Sequence, residues 1–345
     1  MNDKIVKYVD YTSDSVEFYP QNNQVFVCGT YEIEPGTTEY KERRKGKLYL
    51  YEIVDNDSQL KEIQTIEYPS GILDMKWSHN STITGGNSNG GNLLGVVMSR
   101  GDLNLYQYTS ENSLKVINQS QVTDSNDILA LSLDWSLDNQ NLVISSSDGN
   151  VQLVDMESVK VVEQWNAHDY EAWICAFNYF NDSVMFSGGD DCKFKMWDKR
   201  AGLDSSQFVK KSDSGVTSIH SNPHREHIIA QGSYDEKLRI WDLRSMSKPL
   251  VITPKLQGGV WRVKWHPSNP NLLVTACMAG GFHTLQSQDG SYQDLSILES
   301  YNDPHKSIAY GVDWSFKSSS NQKQHVACCS FYDKCLSIWN PKLIN

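Results

Sequence analysis

A short pattern of tight turn and strand recurs along this 345-residue chain. Three copies share one internal spacing, with an Asp six residues before a Trp: SGGDDCKFKMWD at 187–198, GSYDEKLRIWD at 232–242 and CSFYDKCLSIWN at 329–340. Weaker copies extend the series to seven anchor positions, which are Tyr51, Tyr106, Val154, Trp197, Trp241, Leu285 and Trp339. Self-similarity of this kind predicts an array of small sheets that stack on one another, because a single unit cannot bury both of its faces.

The period of the repeat identifies the kind of array. The anchors lie about 43 to 55 residues apart, and WD40 repeats have a period of about 40 to 45 residues. Upstream of most anchors runs a second recurring strand, as in GILDMKW, ALSLDW and VWRVKWHP. The sequence therefore predicts an all-β fold, a seven-bladed WD40 β-propeller. We expect the N-terminal segment 4–12 to supply the last blade's outer strand and so close the ring.

We expect one propeller domain over residues 1–345, with loop insertions at 34–47 and 78–92. Residues 78–92 form a tract rich in Asn, Gly and Ser, whose side chains cannot form a packed core. Residues 34–47 carry a dense basic cluster, ERRKGK, which we interpret as part of a solvated loop.

Charge and composition exclude several classes of protein. The formal net charge is −11, which argues against nucleic acid or an anionic membrane surface as the main partner. The N-terminal segment has no apolar stretch typical of a secretory signal, so we expect a cytoplasmic protein. Seven cysteines without a C-x-x-C pair predict neither a disulfide framework nor a zinc site.

One unit carries the polar residues of a buried WD40 network. His168, Ser187, Asp191 and Trp197 occupy the positions at which such repeats place a hydrogen-bonded tetrad. His168 therefore has two interpretations. It is either a structural residue of this tetrad or a proton carrier for catalysis.

A second group of residues is expected around the mouth of the central channel. Alignment of the inner strands places Trp173, Trp261 and Tyr310 at equivalent positions, with Glu171 and Arg262 beside them. Three converging aromatic rings can form a cage for a cation. The alternative is that each ring packs between neighbouring blades. Further binding candidates at this mouth are Asp190 and Tyr332.

Longer strings narrow the assignment beyond the repeat. AHDYEAWICAFNY, PHREHIIAQGSYDEKLRIWDLR and GGVWRVKWHP resemble the WD-repeat diphthine methyltransferase family, whose members act as diphthine methylesterases. The resemblance is dense over residues 165–285 and 305–340. It implies a cytosolic enzyme that hydrolyses a methyl ester on the modified histidine of translation elongation factor 2. That reaction gives diphthine and methanol and requires no cofactor.

Applied to this sequence, the resemblance implies a base and an oxyanion donor near the aromatic cage. We predict His168 or Glu171 as the base, and Arg262 or backbone N–H groups as the donor. Elongation factor 2 is the expected partner of a monomeric protein. The same fold also serves as a non-enzymatic scaffold that binds the factor or other proteins, or as a substrate receptor of a ubiquitin ligase, and these alternatives stay open.

Overall fold

Seven four-stranded antiparallel sheets make up the part of the chain that the computed structural model describes, residues 4–36, 43–54, 58–79, 92–316 and 323–342. The predicted seven-bladed propeller is confirmed. Each anchor of the sequence repeat lies in the third strand of a different blade, where the alternation of side chains turns one face towards each neighbouring blade. Among the described residues, no helix is long and apolar enough to cross a membrane.

The strands are numbered along the chain and grouped by their place in the blade. The inner strands of blades 1 to 7 are β2 (Thr12–Phe18), β6 (Ile72–Trp77), β10 (Ala130–Trp135), β14 (Ile174–Asn178), β18 (Val216–Ser221), β22 (Arg262–Trp265) and β26 (Ala309–Trp314). The second strands are β3 (Val25–Glu34), β7 (Leu93–Met98), β11 (Asn141–Ser146), β15 (Asn181–Gly188), β19 (Ile228–Ser233), β23 (Leu272–Ala276) and β27 (Val326–Ser330).

The third strands are β4 (Arg43–Val54), β8 (Asp102–Tyr108), β12 (Asn150–Asp155), β16 (Lys193–Asp198), β20 (Leu238–Asp242), β24 (Phe282–Gln286) and β28 (Cys335–Trp339). The outer strands of blades 1 to 6 are β5 (Gln59–Tyr68), β9 (Leu114–Gln121), β13 (Lys160–Asn166), β17 (Phe208–Lys211), β21 (Val251–Ile252) and β25 (Ser296–Tyr301). A short 3₁₀ turn at Lys199–Ala201 follows β16.

The outer strand of blade 7 comes from the other end of the chain. β1 (Ile5–Tyr8) pairs antiparallel with β28, with Ile5 opposite Ile338 and Tyr8 opposite Cys335. The paired stretch is shorter than residues 4–12, because Thr12 already begins the inner strand of blade 1. Pairing of the first and last strands closes the ring and covers an edge that would otherwise remain unpaired.

The expected loop at residues 34–47 is in part a β-hairpin. β3 continues to Glu34 and β4 begins at Arg43, and these two residues face each other across the ladder. Opposite charges across and beside the strands favour this extension: Lys45 lies 2.9 Å from Glu34, and Lys47 lies 2.6 Å from Asp10. Residues 37–42 and most of the expected insertion at 78–92, namely 80–91, lie outside the described residues.

The hydrophobic core lies between blades, and tryptophans at the ends of inner strands join one blade to the next. The indole N–H of Trp135 donates to the carbonyl oxygen of Lys76 in the preceding blade, at 2.9 Å. Trp314 makes the same bond to Lys264 at 3.1 Å. Burial of these large rings with their N–H groups satisfied fixes the angle between blades and thereby the shape of the channel.

Candidate functional site

One residue within or directly before each inner strand lines the same end of the central channel. In five blades a β-bulge leaves this residue out of the pairing with the second strand, and a bulge redirects the side chain that it contains. In the other two blades the residue directly precedes the inner strand. The seven residues line a cavity of about 430 Å³, here called the mouth cavity: Asp14, Leu73, Leu131, Trp173, Thr217, Trp261 and Tyr310.

The three predicted cage residues lie together in this cavity. Trp261 stacks on Tyr310, with ring centroids 4.5 Å apart and an interplanar angle of 26°. Trp173 meets Trp261 edge-on at 5.7 Å. The three half-buried rings therefore form a continuous aromatic wall across blades 4 to 7, and their exposed faces can attract a cation.

The alignment of the inner strands did not identify further aromatic residues of this wall. Tyr234 lies 5.9 Å from Trp261, and Phe331 lies 4.9 Å from Tyr310. Tyr31 extends the wall to blade 1 through a contact with Phe331 at 5.0 Å. A signal for Tyr234 was present, because it stands directly before the turn residue Asp235, just as Asp190 and Tyr332 stand before the equivalent turn residues.

Acidic side chains flank the wall at blade 4. Glu171 lines the mouth cavity and is half-buried. The Oδ1 atom of Asp190 accepts a hydrogen bond from the indole N–H of Trp173 at 3.1 Å. Gly215 leaves room for this arrangement, because a Cβ atom there would lie 2.9 Å from Asp190 Oδ1 and 3.1 Å from the Tyr234 ring. Tyr332 lies on the outer rim with 71% of its surface exposed.

His168 belongs to the buried tetrad. Its Nδ1 lies 2.8 Å from Asp191 Oδ1, its Nε2 lies 2.8 Å from Ser187 Oγ, and the Trp197 indole donates to the same Oγ at 2.8 Å. Burial lowers the pKa of His168, so the ring is neutral at pH 7. Burial acts to raise the pKa of Asp191, but the interactions with His168 and the hydrogen bonds from the backbone N–H groups of Lys193 and Asp169 together outweigh it and bring that pKa to about 2. Both nitrogens are thus engaged away from the mouth cavity.

The tetrad allows a matched test of its hydrogen bond. Replacing Trp197 by phenylalanine should cost about 1 kcal/mol, because it removes one buried donor while keeping the aromatic packing. Trp339 is the equivalent anchor in blade 7, and its buried indole N–H has no partner among the described residues. W339F should therefore cost clearly less than W197F in urea unfolding. Equal costs would show that ring packing, and not the tetrad bond, stabilises blade 4.

Blade 7 carries a rearranged counterpart of the tetrad. His305 places Nδ1 2.6 Å from Ser330 Oγ and Nε2 2.7 Å from Ser337 Oγ. Donor atoms of His305, Asp333 and Cys335 lie within 4.8 Å of one another, a spacing that metal sites also have. Because both histidine nitrogens already face hydroxyl groups, we interpret the cluster as structural.

Arg262 lies below the aromatic wall. Its guanidinium is buried and lies 3.1 Å from the carboxylate of Asp74, across the channel in blade 2. Burial acts to lower the pKa of Arg262, but the carboxylates of Asp74 and Asp14 outweigh it, and the pKa is raised. The positive charge of Arg262 is therefore largely neutralised by residues of the channel itself.

A second arginine lines the mouth cavity from the hairpin of blade 1. The Arg44 guanidinium lies 6.0 Å from the centre of the Tyr31 ring and pairs with no carboxylate among the described residues. Arg44 and Glu171 approach the cavity from different sides, blades 1 and 4. The cavity thus combines an aromatic wall, an acidic side and an unpaired cationic group, and it suits a ligand that carries both a cation and a carboxyl group.

Comparison with known proteins gives two matches to family models. The model described as "Anaphase-promoting complex subunit 4 WD40 domain" matches residues 88–182, and "WD domain, G-beta repeat" matches residues 205–242. A chain of the solved structure "Crystal Structure of Mitotic Checkpoint Complex" superposes with a TM-score of 0.72 over 98% of this chain and 91% of that one. At 14% identity, this likeness concerns the fold alone.

Three named relatives match this chain over most of its length. The chain is 54% identical to "Diphthine methyltransferase homolog" of Dictyostelium discoideum, over 98% of this chain and 99% of that protein. It is 39% identical to "Diphthine methyltransferase" of Homo sapiens, over 88% of this chain and 73% of that protein. A Schizosaccharomyces pombe protein of the same name is 31% identical, over 97% of each chain.

Proposed function

The chain belongs to the WD-repeat diphthine methyltransferase family, and we propose that it hydrolyses the methyl ester of methylated diphthine on translation elongation factor 2. The family resemblance drawn from the sequence is confirmed by these relatives. The names of these relatives support a role for this chain in diphthamide biosynthesis. Our proposal goes further than these names: the reaction is ester hydrolysis, the substrate is elongation factor 2, and the site of action is the cytoplasm.

The observation that carries the proposal is the aromatic wall beside Glu171. The methylated intermediate has a permanently charged trimethylammonium group, which cannot donate a hydrogen bond. Aromatic faces suit such a group, because each favourable cation–π contact contributes about 0.5 to 2 kcal/mol depending on desolvation. The carboxylate of Glu171 adds a complementary charge at the edge of the same cavity.

The reaction requires two further groups. Water must lose a proton as its oxygen attacks the carbonyl carbon, and the tetrahedral intermediate carries a negative charge on the former carbonyl oxygen. Collapse of that intermediate expels methanol and leaves a carboxylate. His168 is a poor base for this step because both its nitrogens are engaged in the tetrad, so the base is a carboxylate of the mouth cavity.

Arg44 fits the donor role better than Arg262. The guanidinium of Arg262 is already paired with Asp74, whereas Arg44 faces the same cavity without a carboxylate partner among the described residues. A charge-assisted hydrogen bond from Arg44 would stabilise the oxyanion and then the product carboxylate.

Replacing Arg44 by glutamine is expected to lower kcat/KM about tenfold, because one charge-assisted bond to the developing anion is lost. Lys45→Gln is the matched control. Lys45 follows Arg44 on the same strand but pairs with Glu34 at 2.9 Å, so its loss should change kcat/KM less than about twofold. If both substitutions lowered kcat/KM equally, Arg44 would contribute only to the overall positive charge of the hairpin and would not donate to the oxyanion.

The proposal is tested with purified protein and elongation factor 2 that carries the methyl-ester intermediate. We expect methanol release without S-adenosylmethionine, ATP or added metal. The exposed rings of Tyr332 and Tyr170 on the rim also suit a scaffold that only holds a protein partner. Binding of the confirmed methyl-ester factor by folded protein without methanol release would favour that scaffold function.

A further inference from the structure

Asp14 is the acidic member of the seven residues that line the mouth cavity. It lies in the bulge of β2, between Ser13 and Ser15, so its side chain turns from the blade into the channel. Only 4% of its surface is exposed, yet it lines the same cavity as Glu171 and Arg44. A carboxylate buried to this extent is largely desolvated.

The Asp14 carboxylate accepts no hydrogen bond from the described residues. This distinguishes it from the other inner-strand carboxylates: Asp74 accepts from the backbone N–H of Leu133 at 3.3 Å, and Asp134 accepts from that of Phe177 at 2.9 Å. A buried carboxylate is normally satisfied by donors of the protein or by water. Asp14 is therefore free to accept a hydrogen bond from a water molecule in the mouth cavity.

We propose that Asp14 is the general base that activates water for ester hydrolysis, while Glu171 contributes charge complementary to the trimethylammonium group. This inference rests on the proposed function. It assigns the base to a residue of blade 1, outside residues 165–285 and 305–340, over which the sequence resemblance is dense. It gives Glu171 a role in substrate binding rather than proton transfer.

The step balances with water as the only co-reactant. Asp14 takes a proton from water as the water oxygen bonds to the ester carbonyl carbon. The carbonyl π electrons move to oxygen, where Arg44 can donate. The intermediate then reforms the carbonyl group and breaks the bond to the methoxy oxygen, which takes the proton from Asp14 and leaves as methanol. This transfer returns Asp14 to the carboxylate form, and the product acid releases its own proton to solvent.

The surroundings of Asp14 favour proton uptake by its carboxyl group, as a general base requires. Burial raises the pKa of Asp14 well above its ordinary value, nearby Asp74 raises it further, and Arg262 opposes both. The titratable or charged groups around it are Arg262 on β22, Asp74 on β6, Cys28 and Tyr31 on β3, Tyr310 on β26 and Cys329 on β27. Since the carboxylate is the active form, kcat should fall as pH falls through the raised pKa.

The test measures kcat and KM between about pH 5 and 9 on the methyl-ester elongation factor, with wild type, D14N and E171Q. D14N should lower kcat about 100- to 10,000-fold, keep KM within about threefold and remove the acid limb of the kcat profile. E171Q is the matched carboxylate control from the same cavity. It should raise KM and leave the acid limb in place.

Two further variants separate proton transfer from structural pairing with Arg262. D14E keeps the negative charge, so it should fold as wild type, retain an acid limb and lower kcat at least about tenfold because the carboxylate is displaced. D14A should regain activity when formate is added, since a small carboxylate can enter the vacated space. A structural role alone gives no rescue of kcat by formate.

The outcomes separate this inference from the proposed function. If wild type is active and D14N or D14E keeps the wild-type kcat, Asp14 is not the base, but ester hydrolysis stands. The same conclusion follows if the acid limb of the kcat profile is lost in E171Q rather than in D14N. An inactive wild type on confirmed substrate would overturn both. Loss of kcat in D14N with unchanged affinity for the methyl-ester factor would support both.

Discussion

Replacing Arg262 by methionine is expected to lower the free energy of unfolding by about 3 to 5 kcal/mol, because the change leaves buried carboxylates without their cation. Arg262 lies 3.1 Å from Asp74, whose side chain is fully buried, and Asp14 is the second acidic neighbour. Methionine retains much of the packing volume, so the loss measures charge rather than shape. Urea unfolding followed by tryptophan fluorescence would report it.

The double variant R262M/D74N provides the control. Asparagine keeps an oxygen that can accept from the Leu133 backbone N–H, but it removes one of the unpaired charges. We expect the double variant to recover about half or more of the lost stability. If R262M were as stable as wild type, the ion pair across the channel would not contribute to the stability of the fold. That result would reopen a role for Arg262 in wild type as a donor to the substrate.

Replacing Trp261 by alanine should weaken binding of the methyl-ester factor about 30-fold, which corresponds to about 2 kcal/mol. Trp261 is the central ring of the aromatic wall, since it contacts Trp173, Tyr234 and Tyr310. Its removal takes away a cation–π face and also the ring on which Tyr310 stacks. Affinity can be measured by titration, and kcat at saturation should change less than KM.

A pair of small ligands tests whether the aromatic wall binds the ammonium group through its positive charge. Choline and its neutral isostere 3,3-dimethylbutan-1-ol have nearly the same shape, so a cation–π wall should bind choline more tightly in wild type. W261F, which keeps a ring, should preserve part of this preference, and W261A should lose most of it. Equal binding of the two probes by wild type would contradict an aromatic cage for the ammonium group.

Most of the fold was predictable because it is carried by local repetition. The anchor residues mark the third strands, and the strings before them mark the inner strands, so seven blades follow from spacing alone. The inner strand of blade 1, Thr12–Phe18, was not predicted: its sequence, TSDSVEF, has no terminal tryptophan, and it begins where the predicted closing segment 4–12 ends. The hairpin at Glu34 and Arg43 depends on pairing across a turn, which repeat alignment does not reveal.

The site was predictable where blades repeat each other and not where they differ. Trp173, Trp261 and Tyr310 were found because they share one position on three similar strands. Asp14 has the same position, but its strand was not recognised. Arg44 enters the cavity from a third strand, through a contact that no periodicity encodes. For these two residues only the closed ring brings the relevant side chains together.

Residue type alone also could not separate catalytic groups from structural ones. His168 and Arg262 have the chemistry of a base and an oxyanion donor, and both stand near the correct end of the channel. In the structure each is paired: His168 with Asp191 and Ser187, and Arg262 with Asp74. These pairings decide how free each group is to act, and they depend on contacts between strands that are distant in sequence.

The most direct test of the account is the mass of the modified histidine peptide after incubation of the methyl-ester elongation factor with the purified protein in H₂¹⁸O. We predict a loss of about 14 Da from ester hydrolysis, offset by about 2 Da for one ¹⁸O atom in the new carboxylate, without any added cofactor. An unchanged mass with the factor bound would contradict the esterase function. A gain of about 14 Da that requires S-adenosylmethionine would contradict it equally and indicate methyl transfer instead.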